Sequence, residues 1–398
     1  MSSTTTGARF EPRSGPTWRD PFGMYAALRD HDPVHHVDDG DYWVLSRHAE
    51  VFAAASDTAT FSSAQGLTFA TGEIERLGLT ESRPMVMLDP PDHTVMRRMV
   101  ARGFTPRQVA EIEPAVRAFV VERIERLRQR GSGDIVAELF KPLPSMVVAH
   151  YLGVPVEDRG RFDGWTEAIV AANALGDPLG AAAAVAELME YFGALADRRR
   201  ADPGSDTISQ LVRLDQDDDP ADLFRVLGFA FTMVTGGNDT TTGLLGGGAE
   251  LLTERRDQRR MLIERPELIP DAIDELLRLT SPVQGLARTT TRDVDLHGVA
   301  IPEGRKVLLL YGSANRDPRE YGPDAASLEV TRRPTRILTF SHGAHYCLGA
   351  SAARLQGRVA LEELLARAPD FEVDTSLGDY APGSFVRRLQ RLPFVVGR

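Results

Sequence analysis

The sequence predicts a mainly α protein with small β-sheets. Three observations carry this. From Arg107 to Ala201 helical apolar repeats alternate with short turn clusters. From about Ala221 to Glu254 one run is long enough to be a helix of roughly 50 Å, the width of a whole domain. The strand-like segments are all short. With 398 residues, 42% of them hydrophobic, the chain can bury a large core, and no linker is long enough to divide it. The expected organisation is a disordered tail over residues 1–15 and a single domain over residues 16–398.

Taken in order, Pro21 to Arg29 reads as a short helix, and Val34–Val37 and Tyr42–Ser46 as paired strands. A helix around Ala49–Ala55 ends before Phe61. Ser62 to Leu88 is a long segment without clear periodicity, and loops of that length in compact proteins are often functional. Pro90 and Pro91 open the next helix, because proline is tolerated at a helix start. On it His93 and Arg97 lie at i and i+4 and share one face, either a solvated polar surface or a holder for an anionic group. Arg98 and Arg102 form a second such pair. The helices that follow break at Gly131–Gly133, Pro142–Pro144, Gly153–Pro155 and Gly176–Gly180. Charges such as Glu122, Arg123, Glu125, Arg126 and Arg128 read as a solvated face. The acidic cluster Asp215–Asp219, with Pro220, reads as a surface loop.

The long helix carries an anomaly in its middle. Between Leu227 and Val234 it is almost wholly apolar, as a buried helix should be. Then comes G-G-N-D-T-T, Gly236 to Thr241. Each glycine sacrifices about 1 kcal/mol relative to alanine, so some gain must offset it, and close approach of a planar ligand is one such gain. A carboxylate and hydroxyls in such a helix are costly without partners. Thr240 can bond back to the Gly236 carbonyl, loosening the local ladder.

A further helix, with Ile269, Ile273, Leu276 and Leu277 on its apolar face, ends before Pro282 and carries Glu275 and Arg278 at i and i+3. Strand-like segments follow at Val294–Leu296 and Lys306–Leu310, joined through the turn residues I-P-E-G. A strand-like run, Ile337 to Phe340, then enters F-S-H-G-A-H-Y-C-L-G, Phe340 to Gly349, and a helical run with Leu348, Ala352, Leu355 and Val359 leaves it. Cys347, the sole cysteine, thus stands at a helix start, where unpaired N–H groups and the helix dipole favour thiolate over thiol. Gly343 and Gly349 let the backbone turn tightly beside something flat. Such a thiolate is a plausible axial ligand to haem iron, whose O–O cleavage needs strong electron donation from cysteine. The alternative is a lone cysteine acting as a small buried hydrophobe.

Phe340, Gly343, His345, Cys347 and Gly349 match in order and spacing the haem-binding loop F-x-x-G-x-H-x-C-x-G, and here the sequence resembles the cytochrome P-450 superfamily. The Gly236–Thr240 segment resembles the family's A-G-x-D/E-T, with glycine where alanine is more usual. Glu275 and Arg278 match its E-x-x-R signature. The resemblance covers nearly the whole chain. It implies a triangular prism of helices around a buried haem b, iron protoporphyrin IX, with Cys347 as the axial ligand of the metal. It implies that His93, Arg97, Arg288 and His345 hold the haem propionates, that Asp239 relays protons, and that Thr240 supports oxygen activation. Arg332 is the candidate third member of the Glu275–Arg278 pair, which is structural. Leu67, Phe69, Met85, Val86, Phe231, Val234, Gly236, Val283, Leu286 and Phe385 are the candidate substrate-pocket residues, Phe385 on a turn over Gly383–Val386.

The resemblance is to soluble bacterial members, actinobacterial ones above all. It implies a monooxygenase that inserts one atom of O2 into a small to medium hydrophobic organic molecule, by hydroxylation or oxidative dealkylation. A chain with one cysteine has no iron–sulfur cluster of its own, so electrons from NAD(P)H would arrive through a ferredoxin and its reductase. An acidic ferredoxin would dock near Arg98, Arg102, Arg354 and Arg358. The rival readings are a haem-thiolate peroxygenase and a non-catalytic haem sensor. Composition narrows the remainder. The balance of 46 basic against 57 acidic residues gives −11 and argues against general nucleic-acid binding. No apolar stretch reads as a signal peptide or membrane anchor. A single cysteine leaves no internal disulfide and fits a reducing cytoplasm.

Overall fold

The computed structural model describes residues 8–76, 78–80, 83–175, 180–213 and 220–397. The helices that build the body are α1 (Phe22–His31), α2 (His48–Ser56), α3 (Asp92–Ala101), α4 (Glu113–Arg130), α5 (Pro142–Tyr151), α6 (Arg159–Leu175), α7 (Ala182–Ala201), α8 (Pro220–Glu254), α9 (Ile269–Thr280) and α10 (Ala350–Arg367). The predicted long helix is α8. It crosses the centre and packs on α5, α7, α9 and α10, while α10 packs in turn along α4. Apolar stripes at helical spacing make these contacts: Val116, Val120 and Ile124 on α4, and Ile273, Leu276 and Leu277 on α9, all enter one continuous core.

Five short strands form the main sheet: β1 (Val34–Val37), β2 (Tyr42–Leu45), β3 (Phe61–Ser62), β4 (Leu286–Thr290) and β5 (Lys306–Leu309), in the order β1-β2-β5-β4-β3. β2 and β5 run parallel and are buried along their whole length, which matches the apolar and aromatic runs Tyr42–Leu45 and Val307–Leu309. The other pairings in this sheet are antiparallel.

Several expectations are corrected. The expected tail lies outside the described residues up to Gly7, and of the rest Phe10 and Gly15 are buried. Phe10 is buried edge-on against Tyr42, with ring centroids 6.5 Å apart, and the Gly15 amide donates to the Ala381 carbonyl. Val294–Leu296 pairs within a second small sheet. It forms its own hairpin with Val299–Ile301, because His297 and Gly298 both take positive φ, the geometry of a two-residue hairpin turn. Ile337–Phe340 is not a strand. Its alternation reflects burial of Leu338 and Phe340, and side chains replace strand partners: the Leu338 amide donates to Asn315 Oδ1 (2.7 Å) and Thr339 Oγ1 to the Leu277 carbonyl (2.7 Å). The predicted loop over Asp215–Asp219 lies outside the described residues, as does the break at Gly176–Gly180 up to residue 179.

The Glu275–Arg278 pair is fully buried, both side chains at 0% exposure. Arg278 meets Glu275 with two parallel bonds of 2.7 Å, and its remaining nitrogen donates to the Asn315 and Ala325 carbonyls at 2.6 Å. Arg332 Nε reaches Glu275 Oε1 at 3.2 Å, so the third partner proposed from the sequence is in place. Removing one member leaves the other charge buried and unpaired, which typically costs about 3–5 kcal/mol. Glu275→Ala is therefore expected to lower unfolding stability by about that amount in chemical denaturation, far more than the exposed pair change Glu122→Ala.

Candidate active site

The loop before α10 is built to present one sulfur. The Cys347 amide donates to the Phe340 carbonyl at 2.9 Å, closing the loop, and Gly343–His345 forms a single 3-10 turn. Gly343 has φ +68°, and a Cβ there would meet the α2 backbone at Ser56 Cα (3.1 Å) and Ala55 O (3.2 Å), so only glycine fits. Gly349 caps α10 and its amide points at the sulfur. That sulfur opens onto a cavity of about 420 Å³ yet lies deep within the protein. Burial pushes the thiol up from its usual pKa. The Gly349 amide, Arg97 and Arg354 pull the other way without overcoming it. The helix start thus favours the thiolate against the cost of burial, and a bound cation ionises a coordinating thiol outright.

One edge of the cavity gathers an arginine and two histidines. His93 and Arg97 come from α3 and His345 from the cysteine loop, and all three are on its wall. The His93 and His345 rings are 4.3 Å apart, and Ser63 Oγ lies 3.2 Å from His345 Nε2. Burial, together with Arg288, His93 and Arg97, pushes His345 down to about 3. His93 Nδ1 is buried without a partner. Arg288 is buried behind this edge, donating to the Ala287 carbonyl at 2.8 Å. The Arg97 guanidinium, with Arg288 behind it and two imidazoles beside it, and a sulfur on the same wall suit a ligand that is metal-bearing at its centre and anionic at its rim.

Helix α8 forms another wall. Thr240 Oγ1 donates to the Gly236 carbonyl at 2.8 Å, as its spacing predicted. The two glycines divide the work. A Cβ on Gly236 would stand in open cavity, whereas one on Gly237 would strike Val148 Cγ2 of α5 at 2.7 Å. Asp239 is off the wall: its carboxylate pairs with Arg388 Nε at 2.7 Å. Burial pushes its pKa up and Arg388 pulls it back.

Of the predicted pocket residues, Leu67, Met85, Val86, Gly236, Val283 and Leu286 are on the wall. Phe69, Phe231, Val234 and Phe385 are not, and each has a reason. Phe69 stacks on Tyr42 (4.8 Å) and meets Phe385 at a tilt (5.4 Å), so this pair buttresses the wall from behind. Val386 bridges to Val283 and lines the cavity, and its extended neighbour Phe385 faces the other way. Val234 is fully buried in the core and Phe231 packs against it. The α8 positions that do line it include Phe229, Thr232, Met233 and Gly236, a helical stripe offset from the two predicted. Counting back from Gly236 by three and seven finds Met233 and Phe229. Val147, Val148 and Tyr151, arriving from α5, had no such signal.

The Ser62–Leu88 loop is fastened by its backbone. The Ala287 amide donates to the Leu67 carbonyl (2.7 Å), buried Lys306 Nζ to the Gln65 carbonyl (2.6 Å), and Glu73 accepts from the Thr68 amide (2.8 Å). On the outer side of the cysteine loop, Arg354 is tied to Asp274 (2.7 Å), and Arg358 to Glu362 (3.1 Å) and Glu113. Arg98 is exposed, and the Arg102 side chain lies outside the described residues.

Cytochrome P450 130 of Mycobacterium tuberculosis is 63% identical to this chain over 395 residues, covering 97% of this chain and 98% of that protein. The chain belongs to the cytochrome P450 family. A family model described as Cytochrome P450 matches residues 250–380. Vitamin D(3) 25-hydroxylase of Pseudonocardia autotrophica is 36% identical over 404 residues, 100% of this chain and 99% of that one. Among solved structures, the polyketide-synthase P450 PksS of Bacillus subtilis superimposes with a TM-score of 0.86 at 30% identity, over 95% of this chain and 97% of that chain. This P450 is accordingly an oxidoreductase of the monooxygenase type, with haem on a cysteine thiolate as its cofactor. Among the described residues, no helix is long and apolar enough to cross a membrane.

The two α8 glycines separate packing from ligand space. Gly237→Ala is expected to destabilise the fold by about 1–3 kcal/mol through its clash, with partial relief by Val148→Ala. Gly236→Ala is expected to keep or raise stability, by up to about 1 kcal/mol, while weakening bulky ligands in absorbance titrations.

Proposed function

We propose that Cys347 is the axial ligand, that His93, Arg97, His345 and Arg288 receive the propionates, and that the enzyme oxidises small to medium hydrophobic molecules. Hydroxylation or oxidative dealkylation is the reaction. The observation that carries this reading is one arrangement: the sole cysteine sulfur on the floor of a largely apolar cavity, an edge of one arginine and two histidines beside it, and Thr240 on the α8 wall. Bound haem supplies O–O cleavage, assisted by electron donation from the thiolate. The chain's own groups supply the rest. Met85, Val86, Leu286 and Val386 exclude water and bind an apolar body. Thr240 commits its proton to the Gly236 carbonyl, which leaves its lone pairs to accept from a proton donor in the cavity. Asp239, held outside the wall by Arg388, is placed to carry protons from the exterior once that ion pair opens.

A ferredoxin and its reductase deliver electrons from NAD(P)H in this reading. The use of the only cysteine for ligation, with no disulfide possible, fits the cytoplasm. The reduced protein under carbon monoxide is expected to give the red-shifted band of thiolate ligation, and Cys347→Ser to lose it. An unchanged spectrum in that variant overturns the assignment. Asp239→Asn and Thr240→Ala are expected to cut O2-dependent turnover by about 10²-fold. Peroxide-driven turnover should fall much less. An equal fall in both would remove the proton-relay roles.

A further inference from the structure

Beside the main cavity lies a second, smaller one of about 30 Å³. Helices α8, α9 and α10 enclose it, with Phe140 and Phe371 completing the lining, and every residue around it is buried. None of its side chains carries a polar atom. A water molecule would find no side-chain partner there, so the void suits a small apolar molecule. The glycines beside it show what keeps it open. Residues 246–248 are three glycines inside α8, where alanine would give a more stable helix. A Cβ on Gly247 would strike Thr280 Cγ2 at 2.8 Å, so packing explains that position. A Cβ on Gly248 would meet one atom beyond its own helix within 4 Å, Leu276 Cδ1 at 3.7 Å, an ordinary contact. The space it would enter is the void. Alanine there would fit, steady the helix and fill a gap whose walls forgo packing contacts. The chain has glycine instead. The void also adjoins the main cavity. Leu244, one turn beyond Thr240, lines both, and among the described residues it alone does so. A Cβ on Gly357 of α10 would stand 3.0 Å from Leu244 Cδ2, so that glycine gives the leucine room.

On the haem-thiolate reading above, we propose that this void is a binding site for an apolar diatomic gas, O2 in the monooxygenase reaction, which exchanges with the main cavity past the side chain of Leu244. A hydrophobic substrate that fills the main cavity leaves little space there for a second molecule. The void holds O2 without competing for that space. O2 is small and apolar, so it enters dry apolar space for the same reason that water stays out of it. Passage needs a rotamer change of one leucine.

The test uses the haem-loaded enzyme and its Gly248→Ala variant, which should withstand chemical denaturant at least as well as the wild type. In crystals pressurised with xenon, density is expected in the void of the wild type and none there in Gly248→Ala. A wild-type void without xenon overturns the proposal. Exchange is read with carbon monoxide standing in for O2. After flash photolysis of the reduced carbonyl complex, gas held in the void returns to the haem as a slow geminate phase. Xenon is expected to lower that phase about two-fold in the wild type by occupying the void, and to change nothing in Gly248→Ala, where the phase is already small. A phase that responds equally in both proteins, or in neither, overturns the exchange. The xenon density and the xenon response of the wild type need no variant. If the reduced protein takes up no carbon monoxide at all, the haem reading itself has failed, and the O2 role goes with it even where xenon fills the void.

Discussion

The buried ion pair between Glu275 and Arg278 is the interaction on which the site's geometry depends. A carboxylate and a guanidinium with no exposure would each be prohibitively costly alone. Together they fix α9 against the segment that follows the sheet, through Arg278 and the Asn315 carbonyl. Asn315 passes the constraint on: its side chain accepts from the Leu338 amide and donates to Thr339 and Ser281. Two residues later begins the loop that presents Cys347. The sulfur's position is therefore set by a chain of hydrogen bonds rooted in α9, with no strand beneath it.

The site sets buried groups of opposite electrostatic preference side by side. Burial pushes the Cys347 thiol pKa up and the His93 and Arg97 pKa values down. These two unfavourable conditions have a common remedy in a group that is cationic at its centre and anionic at its rim. Binding such a group gains free energy that the folded chain alone lacks, so cofactor and fold are coupled thermodynamically. Helix α8 completes the arrangement by giving up side-chain volume at Gly236 and helix stability at both glycines.

Much of this was legible in the sequence, and the failures are instructive. The cysteine loop, the α8 anomaly and the Glu275–Arg278–Arg332 cluster could be read because each needs particular residue types at fixed offsets. The cavity wall was read less well. Leu67, Met85, Val86, Val283 and Leu286 were found, but Phe231 and Val234 were placed on the wrong stripe of α8, since an all-round apolar helix gives no phase to choose by. Phe69 and Phe385 were taken for pocket residues because aromatic side chains near a site invite that inference, while stacking behind the wall leaves no trace in sequence. Tyr151 and Val148 reach the cavity only through the packing of α5 on α8, a tertiary fact.

The fastening of the Ser62–Leu88 loop carries an evolutionary consequence. Leu67 is held to Ala287, and Gln65 to Lys306, through main-chain carbonyls, which every residue type possesses. The anchors are thus indifferent to which side chains the anchored positions carry. The side chain at Leu67, which lines the cavity, can change while its carbonyl stays held. A lineage built this way can change diet without rebuilding its furnace.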